Sequence, residues 1–168
     1  MYEYQPKLSK QKERILTLLL GVSGVLLFAV SQIYGVPFPA FVQLFGVLLL
    51  GGAIIIASRY LLRDFCYTVA PRADASLDAP QDLTVTELCG KRRRVVCILS
   101  VAEILDATPC TAENKQMRRA QMSGATVYRY VASLWEGDVW LLEVRHDEMR
   151  FFLEIHADKR LISSILNR

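Results

Sequence analysis

The chain has 168 residues, 52% of them apolar and 22% charged, with 20 Lys and Arg against 17 Asp and Glu. Residues 15–58 carry no charged side chain, a block too long for a single water-soluble domain of ordinary composition. The remainder is charge-rich but balanced, 16 basic and 15 acidic side chains over residues 59–168, which excludes the strongly basic character of a nucleic-acid-binding domain.

A helix needs about 20 mostly apolar residues to cross hydrocarbon. Ile15–Ile33 and Ala40–Ser58 each supply such a window. In the first, the Leu, Ile, Val and Phe residues favour insertion by about 4–7 kcal/mol before Gly and Ser subtract from it. Pro37 and Pro39 in the five residues 35–39 break the helix, so the two windows read as a transmembrane helical hairpin. Lys7, Lys10, Lys12 and Arg14 precede it, Arg59 and Arg63 follow it, and the connection holds no Lys or Arg. The positive-inside bias then predicts a multi-pass protein of the cell membrane with both termini cytoplasmic. A competing reading takes the first window as a cleaved signal peptide, with Ala29-Val30-Ser31 as a small-x-small site. Gly21, Gly24 and Ser31 in the first window, and Ala53 and Ala57 in the second, offer close helix packing, within the hairpin or in a homo-oligomer. Neither window holds a charge that would mark an ion path.

Strand signals dominate the rest. Tyr60–Val69 reads as a strand leaving the membrane, and residues 71–81 as a loop. Leu83–Cys89 and Arg92–Leu99 flank Gly90-Lys91, a hairpin signal. Ser100 to Glu103 matches a capping box that opens a short helix ended by Pro109. Glu113–Gln121 is polar nearly all round and reads as a solvated helix or insertion. Period-2 alternation over Tyr128–Leu134, Trp140–Arg145 and Met149–His156 predicts a three-stranded antiparallel meander. Asp158–Asn167 gathers Leu161, Ile162, Ile165 and Leu166 on one helical face, suited to cover the open end of a sheet. The expected fold class is a membrane α-helical hairpin (residues 15–58) after a cytoplasmic segment 1–14, followed by an α+β cytoplasmic domain at 59–168. That domain is an antiparallel sheet or small barrel closed by the C-terminal helix.

Asp82–Leu99 with its Gly90-Lys91 turn, Ser100–Leu105, and Val127–Asn167 carry a likeness in element order. On these segments the chain resembles bacterial pleckstrin-homology-like domain proteins with a two-helix membrane anchor. The resemblance implies a PH-like barrel, a role in binding or assembly, and no catalytic residues.

Candidate chemistry is sparse. Lys91, Arg92, Arg93 and Arg94 form a basic run at a hairpin tip, which with Arg59 and Arg63 could contact inner-leaflet lipid or a protein partner; the plainer reading is a solvated, charge-protected strand edge. His146, Asp147 and Glu148 have acid–base residue types but occupy a turn. His156 ends a strand and reads as structural. Tyr128, Tyr130, Trp135, Trp140, Phe151 and Phe152 are core or pocket candidates. Cys66, Cys89, Cys97 and Cys110 lack the paired spacing of a zinc site and read as buried free thiols. No nucleophile-elbow, metalloprotease, P-loop or dinucleotide motif occurs. The functional expectation is a non-catalytic binding or assembly module, without cofactor or metal, for a protein or for membrane lipid. The alternative is an accessory subunit of a larger membrane complex that uses the hairpin as its interface.

Overall fold

A computed structural model describes residues 1–33, 38–71, 81–111, 125–135, 137–147 and 149–166. The chain forms two compact units, one of residues 9–63 with 133–135, the other of residues 1–8, 64–132 and 136–168.

In the first unit, α1 spans Gln11–Val30 and α2 Pro39–Ile56, continued by a π-helical turn at Ala57–Leu61. Helix α1 starts four residues before the uncharged block, because Gln11 to Arg14 are good helix formers. Pro39 takes the first position of α2, where a missing N–H is harmless. Both helices are long and apolar enough to cross a membrane, and only 11% of each apolar window is buried within the chain. A core helix of a soluble protein would be mostly buried.

The helices meet at two glycines. A Cβ on Gly24 would lie 2.8 Å from Leu50 Cγ and 2.9 Å from the Gly46 carbonyl oxygen, and one on Gly46 would lie 3.0 Å from the Gly24 carbonyl oxygen. Gly24 and the buried Ala53 therefore serve packing inside the hairpin, whereas Gly21 faces open space. At the other end, Lys10 Nζ donates to the Arg63 carbonyl at 2.7 Å, tying the chain that enters α1 to the chain that leaves α2.

The second unit contains β1 (Tyr2–Tyr4), β2 (Asp64–Pro71), β3 (Gln81–Cys89), β4 (Arg92–Ser100), a 3-10 turn (Val101–Glu103), β5 (Ile104–Pro109), β6 (Thr126–Tyr130), β7 (Val139–His146), β8 (Met149–His156) and α3 (Lys159–Leu166). An antiparallel sheet has the order β1-β2-β3-β4, and a mixed sheet the order β5-β7-β8-β6. Gly90 adopts φ +59°, the left-handed conformation that the β3–β4 turn needs and glycine supplies without strain. The α+β composition with a C-terminal helix agrees with expectation, but the sheets do not close into a barrel.

Four elements differ from the sequence expectation. The strand expected from Tyr60 begins at Asp64, because Tyr60 and Leu61 continue the helical turn that follows α2. Residues 2–4 form a strand that pairs with β2, with Tyr2 opposite Val69 and Tyr4 opposite Tyr67. The helix expected up to Pro109 is confined to Val101–Glu103, and Ile104–Pro109 pairs with β7; β-branched and apolar residues meeting a sheet edge override a local cap signal. Strand β6 does not extend a meander. It lies parallel to β8, Tyr128 opposite Leu153. The expected helix 113–121, and most of the loop 71–81, lie outside the described residues.

The core of this unit is built from inward side chains of both sheets and from α3, including Tyr67, Val69, Leu83, Val85, Leu142, Val144, Leu153, Ile155, Leu161 and Ile165. Asp158 Oδ1 accepts the Leu161 N–H at 2.7 Å and caps α3. Leu166, expected on the buried face, is 44% exposed. Tyr67 links the sheets: its hydroxyl donates to the Tyr130 carbonyl at 2.5 Å and accepts the His156 N–H at 3.2 Å.

Candidate binding cleft

Strand β4 is the last strand of one sheet and β6 of the other. Between them opens a cleft of about 460 Å³ lined by Cys97 and Leu99 from β4, Thr126, Tyr128 and Tyr130 from β6, and Met149 to Phe151 with Leu153 from β8. Alternation along each strand places these side chains together. A bulge between Val85 and Thr86 in the β3–β4 pairing shifts the register, so that Cys97 stands opposite Val85 and Leu99 opposite Leu83, both core positions.

The Tyr128 ring meets the Phe151 ring edge-on, centroids 5.7 Å apart, and Phe65 meets Tyr130 at 6.0 Å. Burial pushes up the Tyr130 hydroxyl, and likewise the Cys97 thiol against the opposing pull of its hydrogen bond to Tyr130. The thiol is therefore protonated near neutrality and acts as a weakly polar wall, not a nucleophile. Arg150 at the rim is held by Glu143 at 2.8 Å and lies over the Phe152 ring at 5.4 Å. The cleft is apolar and aromatic, bordered by two strands that are, among the described residues, the edges of their sheets, and an edge strand's backbone groups can extend a ladder.

Of the aromatic candidates, Tyr128, Tyr130 and Phe151 reach this cleft. Phe152 follows Phe151 in β8 and points to the other face, Trp140 packs against the core, and Trp135 belongs to the hairpin unit.

The basic run sits at the β3–β4 tip, with Lys91 in the turn and Arg92, Arg93 and Arg94 exposed at the start of β4. They oppose Cys89, Leu88 and Glu87 respectively. Alternation directs Arg92 and Arg94 to one face and Arg93 to the other, where its charge acts on Cys66. Arg59 and Arg63 belong to the hairpin unit, Arg59 with its guanidinium 5.9 Å from the Tyr60 ring centre.

His146 Nδ1 lies 2.9 Å from Glu103 Oε1 and Nε2 lies 3.8 Å from Asp147 Oδ2, on the surface, and the Glu103 bond raises its pKa. Glu148 lies outside the described residues. His156 is buried, and a Cβ on Gly137 would meet its Nδ1 at 2.9 Å. The four cysteines form no disulfide, but Cys89 is exposed, contrary to the expectation of uniformly buried thiols, because it stands at the hairpin tip beside the turn. Cys66 is buried and donates to Glu3 Oε1 at 3.1 Å; burial, and then that bond, push its pKa up to about 11.

Two residues were not legible as functional in the sequence. Tyr67 reads only as one position of the strand expected over Tyr60–Val69. Glu13 reads only as a flanking charge, yet it is fully buried in the first turn of α1 and accepts hydrogen bonds from the Ser133 hydroxyl and the Leu134 N–H.

Compared with protein-family models, curated proteins and solved structures, the chain gives no match.

Proposed function

We propose that this is a two-span membrane protein whose β-rich, pleckstrin-homology-like domain is a non-catalytic binding module on the cytoplasmic side. The observation that carries this reading is the seam between β4 and β6: two edge strands border an aromatic, apolar cleft large enough for a few side chains. Such a seam suits an extended segment of a partner protein, which would add backbone hydrogen bonds to an edge and set alternate side chains into the cleft. The exposed Arg92, Arg93 and Arg94 on β4 itself favour a segment with acidic residues at that end, which supports a protein partner over an apolar small molecule.

The test is photocrosslinking in cells from a benzophenone amino acid at Tyr128, with exposed Ser163 as the control position. A discrete protein adduct from Tyr128 and none from Ser163, abolished when Leu99 is changed to Arg, is the expected result. Adducts to lipid alone, or equal adducts from both positions, would overturn the reading.

A further inference from the structure

Residues 133–135 are remote in sequence from the helices, yet they form one compact unit with them. The fastening is specific. The Ser133 hydroxyl and the Leu134 N–H (2.9 Å) both donate to Glu13 Oε1, and the Trp135 N–H donates to Ser133 Oγ at 3.2 Å. Glu13 and Ser133 are buried, 0% and 2% exposed, while the two apolar side chains beyond them are left open, Leu134 at 48% and Trp135 at 51%. A carboxyl group shielded from water holds its partners firmly, because losing them would leave buried polar atoms with fewer hydrogen bonds and no water to replace them.

Depth follows from the same bond. Glu13 is two residues before Ile15, where the uncharged block begins, about 3 Å along the helix axis. The loop is thus fixed at the level where hydrocarbon gives way to head groups. Exposed Leu62 and the Arg59–Tyr60 pair mark the other end of the same hairpin, which the Lys10–Arg63 bond brings to this level. Tryptophan is favoured at that level, its ring in the acyl boundary and its N–H toward water.

We infer that Ser133–Trp135 is a third membrane contact, which seats Leu134 and Trp135 in the cytoplasmic interfacial layer of the bilayer beside α1. The inference rests on the membrane-spanning reading above. It makes the occupant of this exposed apolar pair a lipid surface, continuous with the apolar faces of the helices.

The test uses the full chain in lipid nanodiscs. Trp135 and Trp140 are the two tryptophans, so Trp140→Phe isolates Trp135; because Trp140 packs on the core, a difference spectrum of the unmodified chain against Trp135→Phe gives a second measure. The expected result is blue-shifted emission, weak quenching by iodide, and quenching roughly twofold stronger from lipids brominated near the glycerol end than near the chain end, as for a group about 5–10 Å into the head-group boundary. Water-like emission with full iodide quenching and no lipid quenching would overturn the inference. Exposed Leu26 in α1 supplies the control: Leu26→Trp, in a chain with Trp135→Phe and Trp140→Phe, must be quenched by the deep bromines. Failure at Leu26 refutes the spanning reading together with the inference, and failure at Trp135 alone refutes only the loop contact.

Discussion

Tyr67 shows what a single side chain contributes here beyond hydrophobic area. Its ring is fully buried, and its hydroxyl satisfies a carbonyl of β6 and an N–H of β8 at once. Burial raises its pKa, so it stays a neutral donor at every physiological pH. Removing the hydroxyl leaves both backbone groups desolvated without this partner, a cost of about 1–3 kcal/mol. Tyr67→Phe should therefore lower the thermal midpoint of the β unit in detergent by several degrees; an unchanged midpoint would contradict the bridging role. The thiols give a second prediction at this scale. With a pKa of about 11, Cys66 is thiolate in roughly one molecule in a thousand at pH 8. An uncharged maleimide should label the exposed Cys89 quickly at that pH and reach Cys66 only after unfolding; comparable rates would refute the assigned environment. The sequence places Tyr67 in a strand, but strand signals carry no information about which carbonyl a hydroxyl will meet 63 residues away. Glu13 was illegible for the same reason, its partner lying 120 residues downstream.

Elements were legible where one local signal decided them, and misread where a distant partner did. The Gly90 turn, strands β7 and β8 and the apolar face of α3 follow from turn chemistry and period alone. Strand β1 is three residues long, too short for any period, and exists because Tyr2 bonds Asp158 at 2.8 Å, Tyr4 stacks on Tyr67 with centroids 6.3 Å apart, and Cys66 bonds Glu3. The parallel pairing of β6 could not be read either, since alternation fixes the face of a strand but not its direction. The basic run behaves similarly: the sequence shows four cations, whereas strand pairing with alternation divides its three arginines between two faces and leaves Lys91 in the turn. If that tip nevertheless lies near anionic lipid, trypsin should cut after residues 91–94 more slowly in nanodiscs containing anionic lipid than in zwitterionic ones. The difference should vanish at high salt, because the surface field decays over about 8 Å at physiological ionic strength. Equal rates at low salt would return the run to a solvated strand edge.

The whole chain carries a topological consequence that the flanking charges alone do not. The hairpin is inserted between two strands that pair with each other: β1 ends at Tyr4, α1 begins at Gln11, and β2 begins at Asp64. Hydrogen-bonded neighbours occupy one compartment. The six residues between β1 and α1 reach about 20 Å when fully extended, less than the roughly 30 Å of hydrocarbon, so in a hairpin that spans the membrane the start of α1 and the end of α2 open on the same side. An even number of crossings satisfies this, whereas a chain cut near Ser31 would lose β1 and its bonds to Asp158 and Cys66. On the reading proposed above, the positive-inside bias assigns that side to the cytoplasm. In a cysteine-free background, an impermeant maleimide should label Val36→Cys in intact cells, and label Lys7→Cys and Ser76→Cys only after the membrane is opened. Labelling of positions 7 and 76 but not 36 in intact cells would invert the orientation and keep the paired strands. Opposite behaviour of positions 7 and 76 would be incompatible with β1 in the sheet, and with it the hairpin insertion itself would fall.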